Sequence, residues 1–82
     1  MVEIRFDKKF TSAFSKIKDN SFREMIIKQV DKVSANPEVG KPMRNVRKNT
    51  RELYVGSFRL SYSYLKSENI VYILDLYHKK SQ

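Results

Sequence analysis

Two side chains in this 82-residue chain are of types that can act together on a phosphate ester, Arg59 and the single histidine, His78. Arg59 stands in the run Phe58-Arg59-Leu60-Ser61-Tyr62-Ser63-Tyr64. Its strict alternation marks a strand with Phe58, Leu60, Tyr62 and Tyr64 on one face and Arg59, Ser61 and Ser63 on the other, open one. A guanidinium fixed on a rigid strand among small serines is a preorganised fork for phosphate oxygens. The plainer alternative is a solvated arginine paired with Glu52 on the neighbouring strand. Histidine is the residue type suited to proton transfer near neutrality. Here it opens His78-Lys79-Lys80 directly behind the last strand, so the sheet holds it in place. To work as a pair, Arg59 and His78 must converge on one cationic hollow.

The charge supplies a setting for such a hollow. There are 17 basic and 9 acidic residues, a net charge of +8. Residues 1–40 contribute only +2, whereas residues 41–82 contribute +6. A basic half on an ordinary folded composition points to a polyanionic partner, nucleic acid before acidic protein. The segment from Gly40 to Thr50 has no sustained period and reads as a loop. Lys41, Arg44, Arg47 and Lys48 lie in it, with Arg51 directly after it and no acid among them. These cations, with Lys80, are the candidates for gripping nucleic-acid phosphates, and Tyr54 is the tyrosine best placed by alternation to stack on a base.

The elements that must position these groups follow from periodicity. Val2–Phe6 alternates apolar and charged residues, the pattern of a strand with one buried face. Asp7 offers an N-cap to a short helix carrying Phe10, Phe14 and Ile17 on one stripe. Ser21-Phe22-Arg23-Glu24 matches a capping box, and Phe22, Ile26, Val30 and Val33 line one face of the second helix, widened by Ile27. Asn36-Pro37 ends that helix, because the residue before proline is pushed out of the α region. Glu52–Val55 alternates and stops at Gly56-Ser57, a hairpin turn. Ile70–Tyr77 is apolar on both faces except at Asp75, which suggests an interior strand. The order β-α-α-β-β-β predicts one α+β domain over residues 1–82. Its sheet is small, four-stranded and mostly antiparallel, covered on one face by an N-terminal helical hairpin.

Composition narrows the function further. With no cysteine and one histidine, disulfide frameworks and the common zinc and iron sites are excluded, so neither a metal nor another cofactor is expected. The longest apolar run is Ile70–Leu74, far short of the roughly 20 residues that span a bilayer, and Glu3, Arg5 and Asp7 interrupt any signal-like N-terminus. A soluble, cytoplasmic protein is expected.

The element order, the Gly40-Lys41-Pro42 loop, the strand pair E-L-Y-V-G-S-F-R-L-S-Y from Glu52 to Tyr62 and the ending Tyr77-His78-Lys79-Lys80 together resemble the RelE/ParE superfamily of toxins from type II toxin–antitoxin systems. The resemblance covers essentially the whole chain. It implies a ribosome-dependent mRNA endoribonuclease, an mRNA interferase that inhibits translation. The 2′-hydroxyl attacks the adjacent phosphate, and no metal takes part. It also implies neutralisation by a cognate antitoxin, a short acidic protein, in a toxin–antitoxin hetero-oligomer, with the ribosome and mRNA as further partners. By the same resemblance Arg59 stabilises the phosphate, His78 acts as the acid and Lys79 falls near a C-terminal arginine of RelE-like members. The chain also departs from the pattern. Glu52 and Tyr54 replace two strand lysines and become candidates for base or orienting group, Met43 occupies the place of a glutamate base, and a C-terminal tyrosine is missing. Two alternatives therefore stand beside the nuclease: a ParE-like inhibitor of DNA gyrase, and a catalytically degenerate homologue that only binds RNA or antitoxin.

Overall fold

The computed structural model describes residues 2–43 and 50–81. Its elements are β1 (Glu3–Phe6), α1 (Lys8–Ser15), α2 (Asn20–Ala35), β2 (Lys41–Pro42), β3 (Thr50–Val55), β4 (Phe58–Leu65) and β5 (Ile70–His78). The sheet has five strands in the order β1-β5-β4-β3-β2. All its pairings are antiparallel except that of β1 with β5, which is parallel and sets Ile4 opposite Val71. The α+β class and the interior position of the last strand agree with the sequence reading. The strand count does not. Lys41 and Pro42 form an extra edge strand opposite Glu52 and Arg51. Two residues are too few to display a period, and their extended state is imposed by the neighbouring β3. That strand also starts two residues earlier than Glu52, at Thr50.

Both helices are capped by aspartates. Asp7 accepts the Lys9 amide and so starts α1 where the sequence places it. At α2 the cap is Asp19, whose carboxylate accepts the Ser21 amide at 2.9 Å, and the Ser21 box does not start the helix. A carboxylate also interacts favourably with the positive helix N-terminus, an advantage the serine hydroxyl lacks. Asn36, extended at φ −144°, ends α2 in front of Pro37 as anticipated. Arg23 ties the hairpin together: it donates to the Ile17 carbonyl at 2.8 Å and lies 4.3 Å from the centre of the Phe14 ring.

The core lies between the hairpin and one face of the sheet. Phe10, Ile26, Val33, Val55, Leu60, Tyr62, Val71, Ile73 and Leu76 are buried in it, and Val2, Ile4, Phe14, Phe22 and Val30 pack against it. Two apolar side chains expected inside stay half exposed: Ile27, beside the α2 stripe, and Phe6, at the end of the edge strand, its ring stacked on Phe10 at 5.5 Å. Both lie on the rim of the hairpin, where none of the described elements covers them.

Tyr62 joins the layers. Its ring is fully buried, and its hydroxyl donates to the Pro37 carbonyl and accepts the Gly40 amide, each at 2.8 Å. Gly40 must be glycine for this contact, since a Cβ there would fall 2.8 Å from the tyrosine ring and hydroxyl. Burial pushes the Tyr62 phenol above its ordinary value; the Gly40 amide and the nearby Arg51 guanidinium pull weakly the other way. A phenol that resists ionisation only when folded leaves stability intact below the unfolded phenol's value of about 10 and removes it as pH rises past that point. Tyr62→Phe is expected to lower stability by about 1–3 kcal/mol at neutral pH, by leaving the Pro37 and Gly40 groups unpaired. The variant should also lose stability less steeply than wild type between pH 9 and 11, read by chemical denaturation across that range.

Candidate nucleic-acid interface

On β4 successive side chains alternate between the helix-covered face and the open face, so Phe58 and Arg59 point in opposite directions. The register then sorts their neighbours. Arg59 faces Tyr54 on β3 and Tyr77 on β5, and Phe58 faces His78. Contacts agree with the register. The Arg59 guanidinium lies 3.7 Å from the centre of the Tyr54 ring, while the His78 ring meets Phe58 edge-on at 5.3 Å, and Phe58 in turn packs on Phe22 of α2. The expected convergence of Arg59 and His78 is therefore not found. They stand on opposite faces of the sheet because their strand positions differ by one step of the alternation. His78 is held further by the chain that follows it: Nδ1 accepts the Lys80 amide at 3.2 Å.

What the open face does bring together is Glu52, Tyr54, Arg59 and Tyr77. Glu52 and Tyr54 share it by their i, i+2 spacing on β3, and Glu52 accepts the Tyr77 hydroxyl at 3.2 Å. The pairing of Arg59 with Glu52 is thus replaced by two contacts, Arg59 on Tyr54 and Tyr77 on Glu52. Tyr54 is 53% exposed, so its ring is available to a ligand even with the guanidinium against it. Lys41, opposite Glu52 on the edge strand, brings its Nζ to 5.9 Å from the same ring. A carboxylate, two phenols, a guanidinium and an ammonium thus line one exposed patch, a set able to bind a phosphate and exchange a proton. Sequence alone does not place Tyr77 in this patch, because its strand is apolar on both faces and gives no signal of which side is open.

The other expected cations are distributed differently. Arg51 donates to the carbonyls of Glu38 and Gly40 at 3.0 and 2.8 Å, so it fastens the segment after α2 to the sheet. Lys79 and Lys80 are exposed beyond β5, and the Lys79 amide donates to Ser57 at the β3–β4 turn. Arg44, Arg47 and Lys48 lie outside the described residues. Ser61, placed by alternation on the open face, is nevertheless buried, and its Oγ has no hydrogen-bond partner among the described residues. A separate apolar groove of about 390 Å³ runs between β1, α1 and α2, lined by Phe6, Phe10, Phe14, Ile26, Ile27 and Val30. No helix of the described residues is long and apolar enough to cross a membrane, and no cluster of metal-ligating side chains occurs among them.

The sequence model described as ParE toxin of type II toxin–antitoxin system, parDE, matches residues 4–82. The chain belongs to this family. It is a type II toxin of the RelE/ParE superfamily. Comparison with curated proteins finds no match. Among solved structures, the fold is similar to that of the Mycobacterium tuberculosis toxin–antitoxin complex RelBE2, with a TM-score of 0.82 and 24% identity over 95% of this chain and 98% of that one. It is similar also to the intact E. coli RelBE complex (TM-score 0.81, 18% identity, 95% and 96% covered). A third similar structure is a YoeB/ParE toxin from Agrobacterium tumefaciens (TM-score 0.83, 11% identity, 94% and 98% covered). At these identities the likeness establishes the fold alone. The His78 contact yields its own expectation. Edge-on aromatic pairs contribute about 0.5–1.5 kcal/mol, and a double-mutant cycle of Phe58→Leu and His78→Leu should return a coupling of that size at pH 8, measured by urea unfolding.

Proposed function

We propose that this toxin cleaves mRNA on the ribosome, using the open face of the sheet rather than a pair of Arg59 with His78. The observation that carries this reading is the Arg59 guanidinium, stacked on Tyr54 beside Glu52 on an exposed surface. The guanidinium would hold the scissile phosphate with paired hydrogen bonds, and its stacking on Tyr54 limits the rotamers it must give up on binding. Glu52 is the base. It takes the proton of the ribose 2′-hydroxyl, the 2′-oxygen bonds to phosphorus, the bond to the 5′-oxygen breaks, and that oxygen takes a proton from water. A cyclic phosphate and a 5′-hydroxyl result. Tyr77 orients the Glu52 carboxylate, and Lys41 and Tyr54 offer a neighbouring nucleotide a cation and a stacking surface.

Toeprinting of a translated message with purified protein tests the reading. Wild type should cut; Arg59→Ala and Glu52→Gln should each reduce cutting by about 10²–10⁴-fold, and His78→Leu should cut within about threefold of wild type when assayed below its melting temperature. Intact message at stoichiometric wild-type protein defeats the nuclease. A second reading, inhibition of DNA gyrase, is favoured by the ParE description of the family and by the absence of His78 from the open face. Inhibited supercoiling together with intact message would select it.

The partner that restrains the toxin is an antitoxin, in line with the toxin–antitoxin complexes among the similar structures. A chain of net charge +8 calls for an acidic one, and the apolar groove fits the hydrophobic residues of an amphipathic segment. Ile27, half exposed on the groove wall, should anchor that segment. Ile27→Asp is expected to weaken antitoxin binding at least tenfold, measured by calorimetry, while leaving message cleavage unchanged.

A further inference from the structure

The apolar groove between β1, α1 and α2 has a regular wall. The rings of Phe6, Phe10 and Phe14 stack in series at 5.5 and 5.7 Å, a repeat close to the roughly 5.4 Å pitch of an α-helix. Apolar side chains one turn apart on an incoming helix, at i, i+3 or i+4 and i+7, would meet these rings in step. An extended segment repeats on one face at about 6.6–6.8 Å and loses step over three rings. The groove is not wholly apolar. Asp31 of α2 also lines it, one helical turn beyond Ile27, and is the one charged residue that does so among the described residues. Its carboxylate is exposed and has no ion pair or hydrogen bond among the described residues.

A helix docked on these rings takes water away from Asp31 as well. A carboxylate so covered costs free energy unless it gains a cation, and a second carboxylate brought against it costs more. At long range the net charge of +8 attracts any acidic partner and repels a second copy of the chain. At Asp31 the preference is reversed. We infer that the antitoxin segment in the groove is an amphipathic helix with an arginine or lysine set against Asp31, and that Asp31 thereby selects among acidic partners. Attraction brings many such helices to the surface, and the local repulsion rejects those whose acidic residue falls at this point. The inference rests on the proposed seating of an antitoxin in this groove and adds what that segment must carry.

The probe is the product of the open reading frame adjoining the toxin's own, titrated into the full-length toxin by calorimetry. Asp31→Lys raises the toxin's net charge by two, so general attraction to an acidic partner predicts tighter binding, whereas loss of a local ion pair predicts weaker. Binding should weaken at least about tenfold, and Asp31→Asn, which only removes the charge, should weaken it less. Both variants should keep the wild-type melting temperature, since Asp31 is exposed. When the lysines and arginines of the antitoxin are changed to glutamate one at a time, one such variant should bind Asp31→Lys within about threefold of the wild-type pair. Unchanged or tighter binding by Asp31→Lys, or a loss that no single exchange repairs, would overturn the inference. If Ile27→Asp weakens binding and Asp31→Lys does not, the groove reading stands and this inference fails. If neither substitution weakens binding, or the wild-type toxin binds nothing, both fail together.

Discussion

The two-residue period of β4 is the constraint on which the rest of the molecule turns. It is the middle strand of five, bonded on both sides, so its alternation is imposed on β3 and β5 by register. Leu60 and Tyr62 go inward and fix the helical hairpin to the sheet; Arg59, opposite Tyr54 and Tyr77, goes outward and defines the polar face. No side chain of β4 can change sides without moving the buried ones as well, because a one-residue slip would carry the entire apolar set into water. The separation of Arg59 from His78 has the same origin, since His78 is paired with an inward residue.

The electrostatics of the open face follow from this sorting. The high net charge suggests a broadly positive surface, yet the described part of this face is mixed, with Glu52 and Asp75 in one row and Arg59 in the next. A mixed face favours ligands that bring donors and an anion at fixed spacing, whereas a uniformly cationic face would hold any polyanion. The Arg59 and Tyr54 contact adds rigidity. The guanidinium lies 3.7 Å from the Tyr54 ring centre, and its Nη1 also donates to the Phe58 carbonyl at 3.4 Å, so the side chain is held from two sides.

Much of this was legible from residue types and spacing alone. The class, the two helices, the Gly56 turn and the inward set of β4 are all written in strong periods, and the same alternation placed Glu52, Tyr54 and Arg59 on one side. The misplacements share a cause, namely that local patterns do not encode distance. Lys41–Pro42 becomes a strand only because β3 lies beside it, and Asp19 outcompetes the Ser21 box through a geometry that spacing does not reveal. His78 looked available because it follows the last strand, whereas β5 extends one residue further and includes it. The register shift between Ser61 and Tyr62 further hid which residues of β5 face inward, and with them the part played by Tyr77.

The parallel pairing of β1 with β5 joins the strands of the sheet that lie farthest apart along the sequence. At the edge of the sheet, β1 has β5 as its only strand partner, so Val2 and Ile4 gain their strand neighbour only when β5 joins the sheet. Contacts of such long sequence separation form late and slowly. Until β5 is present the sheet therefore lacks the strand that joins β1 to β4, and the apolar residues of β1 await their cover.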